Sequence, residues 1–181
     1  VSVFFGGNFN GAADVMGTDG DDAMTDSVDQ GQSYVGGLGS DTAPGYAADG
    51  LSFQMGGGDD FIASNGTFLF MNGGAGFDTW QPVGSVALLG SQNNTILGIE
   101  KILMDQGDTD LELDLRNLLR IAQTTSSLTI EGDATDSVFV NEGSWTETDV
   151  GDFVEFTTTV LPNFTLRIQE TIGLFQVGVP D

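Results

Sequence analysis

Apolar residues in the first half of the chain recur at two fixed offsets from a series of aspartates. Met24, Ala43, Ile62 and Trp80 each stand two residues after one, and Tyr34, Phe53 and Met71 stand seven before Asp41, Asp60 and Asp78. A chain laid down in passes of equal length brings such positions into register, so each column predicts a ladder inside a narrow core. From about Gly84 the offsets end but short apolar runs continue, among them SVALLG, TILGIEKILM, LELDL, SLTIEG, SVFVN, DFVEFTTTV and FTLRIQETI. Their alternation and β-branched residues predict strands. One helix is predicted near 114–123: Asp114 caps LRNLLRIAQ, and Leu115, Leu118, Leu119 and Ala122 share a face that lies across the strands.

The aspartates belong to a repeat. GTDGDD (Gly17–Asp22), GGLGSD (Gly36–Asp41), MGGGDD (Met55–Asp60) and GGAGFD (Gly73–Asp78) end on acids spaced 19, 19 and 18 residues apart. A near-constant period of this size predicts a solenoid, with the glycines forming turns other residues resist. Asp22, Asp41, Asp60 and Asp78 then stack along one edge. Neighbouring carboxylates about 5 Å apart repel by roughly 0.8 kcal/mol even at the dielectric of water. A hard cation between passes reverses that sign, because calcium takes about 6–8 oxygens and a glycine-rich turn can offer backbone carbonyls beside the carboxylate.

GGLGSDTAP, GGAGFDTWQ, GTDGDDAMT and MGGGDDFIA resemble the nonapeptides of RTX (haemolysin-type calcium-binding repeat) proteins, which form calcium-binding parallel β-rolls. The resemblance implies an all-β chain: a parallel β-roll or β-solenoid with calcium-binding turns along one side, flanking capping strands and one short helix. It also implies metal ligands at the first, third and sixth motif positions: Gly17, Asp19 and Asp22; Gly36, Leu38 and Asp41; Met55, Gly57 and Asp60; Gly73, Ala75 and Asp78. Four turns leave three gaps, hence at least three calcium ions. Gln32, Leu51 and Leu69 stand where a second aspartate column belongs, so calcium is expected on one side only, the opposite bends being made by Asp29, Gly31, Asp49, Gly50, Asn65 and Gly66. GIEKILMD and LTIEGDATDSVFVNEGSWTE are similar, more loosely, to segments that follow such repeats in large RTX surface proteins. The chain thus divides into an amino-terminal cap strand (1–16), the calcium-binding roll (17–83) and a β-rich continuation and cap (84–181). VSVFF at the start covers one open end.

Charge strengthens the expectation of a cation. The 27 acidic residues against 4 basic ones give a formal charge of -23, and self-repulsion on that scale opposes compaction. Nucleic acids and anionic membranes are excluded as partners by the same sign. With no Cys and no His, disulfides, thiolate or imidazole metal sites and imidazole acid–base chemistry are all absent. A 39% apolar content suits a folded chain rather than an acidic tail, and no apolar run of about 18 residues exists to span a bilayer. Beginning at Val1, the sequence reads as a processed product or an excised piece.

Other chemistry finds little footing. Asp105, Asp108 and Asp110 in DQGDTD, and Asp133 and Asp136 in EGDATD, are either solvated loop acids or further ligands, with no period to support ligation. Trp80 occupies an inward ladder position and reads as core rather than as a sugar platform; Trp145 is open. Nothing singles out a pair of carboxylates for glycoside hydrolysis, so no enzyme activity is expected. The RTX proteases need a His cluster and the lipases a Ser–His pair, which this chain lacks. Ice-binding rolls repeat outward Thr, whereas Thr18 stands alone, and four basic residues make a poor alginate surface.

The resulting expectation is an extracellular calcium-binding structural or adhesion module, secreted or at a bacterial cell surface, that folds on meeting calcium after export. The resemblance implies type I secretion, with TIGLFQVGVPD as a remnant of its carboxy-terminal signal. Partners are calcium and neighbouring modules or like subunits. One alternative is a self-assembling surface-layer or filament subunit; another is the secretion and folding domain of a larger exported enzyme.

Overall fold

Tyr34, Phe53 and Met71 are direct parallel partners in adjacent strands, continued by Val15 on one side and Ile96 on the other. The rings of Tyr34 and Phe53 stack with centroids 5.4 Å apart and nearly parallel, at 3°. This ladder comes from a computed structural model that describes residues 8–9, 12–13, 15–23, 33–45, 51–65, 68, 70–88, 95–105, 107–121, 124–141 and 143–179.

In chain order the strands are β1 (Asn8–Phe9), β2 (Ala12–Ala13), β3 (Val15–Met16), β4 (Ser33–Leu38), β5 (Thr42–Gly45), β6 (Ser52–Gly57), β7 (Phe61–Ser64), β8 (Phe70–Ala75), β9 (Thr79–Pro82) and β10 (Val86–Ala87). There follow β11 (Thr95–Leu97), β12 (Lys101–Met104), β13 (Asp110–Asp114), helix α1 (Leu115–Ile121), β14 (Ser127–Gly132), β15 (Ser137–Asn141), β16 (Thr146–Val150), β17 (Phe153–Thr158), β18 (Leu161–Gln169) and β19 (Leu174–Val179). The described chain is therefore mostly β with one helix.

Parallel pairing dominates. One sheet runs β11-β8-β6-β4-β3, a second runs β16-β17-β18-β14-β12-β9-β7-β5, and a third runs β10-β13-β15-β19. Among the described residues only β1–β2 and the β16–β17–β18 end of the second sheet pair antiparallel. Among the described residues the sheets do not join into one closed coil. The second sheet crosses residue 84 without a break, because Ile102 of β12 pairs with Trp80 of β9 and Ile130 of β14 pairs with Ile102. Strand burial alternates as the period of two requires, with β4, β12 and β15 each reading half-buried, buried, half-buried, buried at their start.

The three sheets share one core. Tyr34, Phe53 and Met71 meet Ala43, Ile62 and Trp80, and the layer continues through Ile102, Ile130 and Ile168 to Leu111 and Val138 of the third sheet. Trp80 is wholly buried, edge-on to Phe68 at 5.5 Å, and its indole N–H donates to Ser64 Oγ at 2.9 Å. Trp145 is half-buried against the same core. No helix among the described residues is long and apolar enough to cross a membrane.

The helix begins as expected and faces differently. Asp114 Oδ1 accepts from the Asn117 amide at 2.8 Å while Asn117 Oδ1 accepts from the Asp114 amide at 2.9 Å, a reciprocal cap. That exchange draws Asn117 inward, so Asn117, Leu118 and Ile121 form the buried face and Leu119 turns out, 38% exposed. Leu119 therefore leaves the predicted apolar face, and Ala122 lies outside the described residues. Also outside them are the VSVFF cap, Met24, Gln32, Leu69 and, of the opposite bends, Asp29, Gly31, Asp49, Gly50 and Gly66; Leu51 is buried.

Candidate metal centre

Each strand of the five-stranded sheet from β4 on leads through a short turn into a strand of the eight-stranded one: β4 to β5, β6 to β7, β8 to β9 and β11 to β12. These turns lie side by side because their strands pair in register, Gly37 opposite Gly56 and Gly56 opposite Gly74. The three glycines have φ of 116°, 108° and 114°, a left-handed conformation that a side chain would strain. The turns thereby stack the four repeat aspartates.

Their contacts form a single file. The amide of Asp22 donates to Asp41 Oδ1 at 2.8 Å, that of Asp41 to Asp60 Oδ1 at 2.7 Å, and that of Asp60 to Asp78 Oδ1 at 2.9 Å. The file does not stop at the last repeat: the Asp78 amide donates to Glu100 Oε2 at 2.8 Å. A second ladder runs outside the first in the opposite sense. Asp21 Oδ1 accepts from the Ser40 amide at 2.8 Å, Ser40 Oγ from the Asp59 amide at 3.3 Å, and Asp59 Oδ1 from the Phe77 amide at 2.8 Å. Together they brace every turn to both neighbours.

The inner file leaves half its oxygens unused. Asp41, Asp60 and Asp78 are 1%, 2% and 0% exposed, and in each Oδ2 has no hydrogen-bond partner. Such a buried charged oxygen costs several kcal/mol unless something answers it. Asp22, at the rim, differs: its Oδ2 accepts from the Thr18 amide at 2.6 Å and the Thr18 hydroxyl at 2.8 Å. In the next three turns the residue at the Thr18 position is Gly37, Gly56 or Gly74, which has no hydroxyl to offer.

Titration follows the same split. Thr18 holds Asp22 below the ordinary carboxylate value. Desolvation raises Asp41, lifts Asp60 to about 6 and lifts Asp78 to about 7, with the preceding aspartate adding to the rise in each. For Asp78 the Glu100 charge adds further. The ion pairs Lys101–Glu131 at 2.6 Å and Arg167–Glu155 at 3.2 Å engage no turn aspartate.

Backbone oxygens face the unused ones. A Cβ on Gly36 would overlap both Asp41 Oδ2 and the Met55 carbonyl oxygen, and one on Gly73 would overlap Asp78 Oδ2 and the Gly98 carbonyl oxygen. At the rim a Cβ on Gly17 would overlap the Gly36 carbonyl and come 3.0 Å from Asp22 Oδ2. First-position carbonyls and sixth-position carboxylates are thus brought together between adjacent turns. The third-position residues Asp19, Leu38 and Ala75 are exposed and Gly57 is half-buried; the Ala75 carbonyl accepts from the Gly58 amide at 2.8 Å, which leaves a second lone pair. Among the described residues no three acidic side chains converge on one point, as expected of carboxylates in single file.

No family model matches the chain, and no curated protein matches it.

The later acids divide. Asp136 is buried, 1% exposed, and both its oxygens are engaged: Oδ1 accepts from the Thr109 amide at 3.0 Å and Oδ2 from the Asp133 amide at 2.7 Å. It pins a second row of turns, between the eight-stranded and four-stranded sheets. Asp105, Asp108, Asp110 and Asp133 are exposed.

Glu100 escaped the sequence reading. Ile102 stands two residues after it, as Ala43, Ile62 and Trp80 stand after their aspartates, and that offset is the signal that marks it. A glutamate and a shortened turn break the glycine pattern there and hide it.

Proposed function

We propose that the protein is a calcium-binding structural or adhesion module of the RTX type, whose stacked turns form one edge of a parallel β-roll. The observation carrying this reading is the row of buried, unpartnered Oδ2 atoms on Asp41, Asp60 and Asp78. A carboxylate file that is dry, unpaired and repulsive is unstable alone, and divalent ions between turns answer the unused oxygens that face those gaps. Asp22, Asp41, Asp60 and Asp78 would hold the ions with carbonyls of Gly17, Gly36, Met55 and Gly73 and of Asp19, Leu38, Gly57 and Ala75, one ion per gap and at least three in all. Bound calcium supplies fixed positive charge and no reaction.

Binding is then coupled to folding. The chain, at -23, stays loose where calcium is scarce and closes where it is millimolar, which suits export to the cell surface or beyond. The RTX likeness rests on the motif residues themselves. The test is circular dichroism and protease resistance in calcium and in chelator. Cooperative loss of β-structure on chelation is the expected result; identical spectra and digestion in both would overturn the reading.

A second reading, a self-assembling subunit, is favoured by β16. All five of its residues are exposed, and it is the end strand of the eight-stranded sheet, with no further strand paired to that edge among the described residues. Light scattering separates the two, since only the assembler forms large particles in calcium.

A further inference from the structure

We infer that the metal column extends one step beyond the glycine–aspartate repeats, with Gly98 and Glu100 completing a further calcium site against Asp78. The inference rests on the calcium reading above and adds a site that the repeat motif does not contain.

Three observations carry it. Asp78 is wholly buried and its Oδ2 has no partner, although no repeat follows it to supply one. The Gly98 carbonyl oxygen faces the bare Cα of Gly73 together with that Oδ2, the same pairing that Gly36 has with the Met55 carbonyl and Asp41 Oδ2. Glu100 takes the Asp78 amide at 2.8 Å, the role each aspartate plays for the turn before it.

Register explains how a glutamate replaces an aspartate. Met71 pairs with Ile96 and Trp80 with Ile102, so nine steps of chain in one pass are matched by six in the next. The missing three residues come out of the turn, where GGAGFD is answered by GIE. The extra methylene of glutamate lengthens the reach of the carboxylate from this shorter turn, and Oε2 meets the Asp78 amide. The short turn brings fewer carbonyls than a full repeat, and calcium, which accepts water among about 6–8 oxygens, tolerates that better than smaller ions do.

The experiment counts calcium ions per chain, by native mass spectrometry after equilibrium dialysis, in the natural protein and in Glu100→Gln. The amide oxygen of glutamine still accepts from Asp78, so the bond survives and only the charge is lost. One ion fewer in the variant is expected. In parallel, the side-chain carboxyl carbon of Glu100, followed by NMR in natural protein labelled at both aspartate and glutamate, is expected to shift and saturate with calcium; this readout needs no variant to fold. Equal counts in both proteins, or a Glu100 resonance that stays still while the aspartates respond, would end the column at Asp78 and leave the proposed function standing. A natural protein that binds no calcium would remove both.

Discussion

The Asp41 amide donates to Oδ1 of Asp60 at 2.7 Å, while Oδ2 of the same Asp60 carboxylate is buried with no partner. One carboxylate therefore does two jobs, stapling a turn to its neighbour through one oxygen and presenting the other to the gap. The staple needs no charge, whereas the free oxygen is useful only to a cation. The predictions separate these roles.

Acidity should stabilise the metal-free protein. Asp60 and Asp78 rise to about 6 and about 7 in the fold from an ordinary value of 3.8. Between pH 4 and 7 the native state thus holds more protons than the unfolded chain, and stability falls as pH rises. The contribution is complete below about pH 4 and is lost as pH climbs through 6 and 7. In chelator the chain should regain β-structure, read by circular dichroism, as the pH is lowered from 7.5 to 5. In calcium the trend should reverse, because protons compete with the ion for the carboxylates.

Asp60→Asn should change sign with the metal. Asparagine keeps an oxygen for the Asp41 amide but removes a buried charge, so in chelator at pH 7.5 the variant should retain more β-structure than the natural protein, its folded state gaining on the order of 1–3 kcal/mol. In calcium it should be less stable and bind fewer ions. Asp41→Ala should cost more in calcium than Asp22→Ala, since Asp41 adjoins two gaps and Asp22 already has Thr18 as a partner. Circular dichroism in chelator and denaturation curves in calcium check all three.

The ladders Tyr34–Phe53–Met71 and Ala43–Ile62–Trp80 were legible because equal spacing needs only counting, and both are buried in register. Beyond Trp80 the same sheet continues through Ile102, Ile130 and Ile168, but their spacings of 22, 28 and 38 residues hide the repetition. Loops, the helix and the β16–β17 hairpin take up those extra residues without disturbing the pairing, and no periodicity survives them. Asp136 was illegible for another reason: whether a loop acid is solvated or bonded to a backbone amide depends on a strand that arrives from elsewhere in the chain.

Gly36→Ala should be among the most damaging small substitutions in the chain. Its Cβ would overlap Asp41 Oδ2 and the Met55 carbonyl, the one on a buried side chain and the other on the backbone of a paired strand. A loss on the order of 2–4 kcal/mol is expected, together with loss of the adjoining ion. Gly20→Ala is the control: nothing lies within 4 Å of its Cβ, so its effect should stay within about 0.5 kcal/mol. Thermal melts of the two variants in calcium make the comparison.

Asp136→Ala tests whether burial alone marks a metal ligand. Asp136 is as dry as Asp41, at 1% exposed, yet both of its oxygens accept backbone amides, from Thr109 and from Asp133. Its removal strands two buried or half-buried donors, which costs on the order of 2–4 kcal/mol. Because no oxygen is left over for a cation, the loss should be the same in calcium and in chelator at a pH where both states are folded, and the ion count should not change. A calcium-dependent loss at Asp136 would mean that the second row of turns also binds metal, and that unused oxygens do not identify the sites.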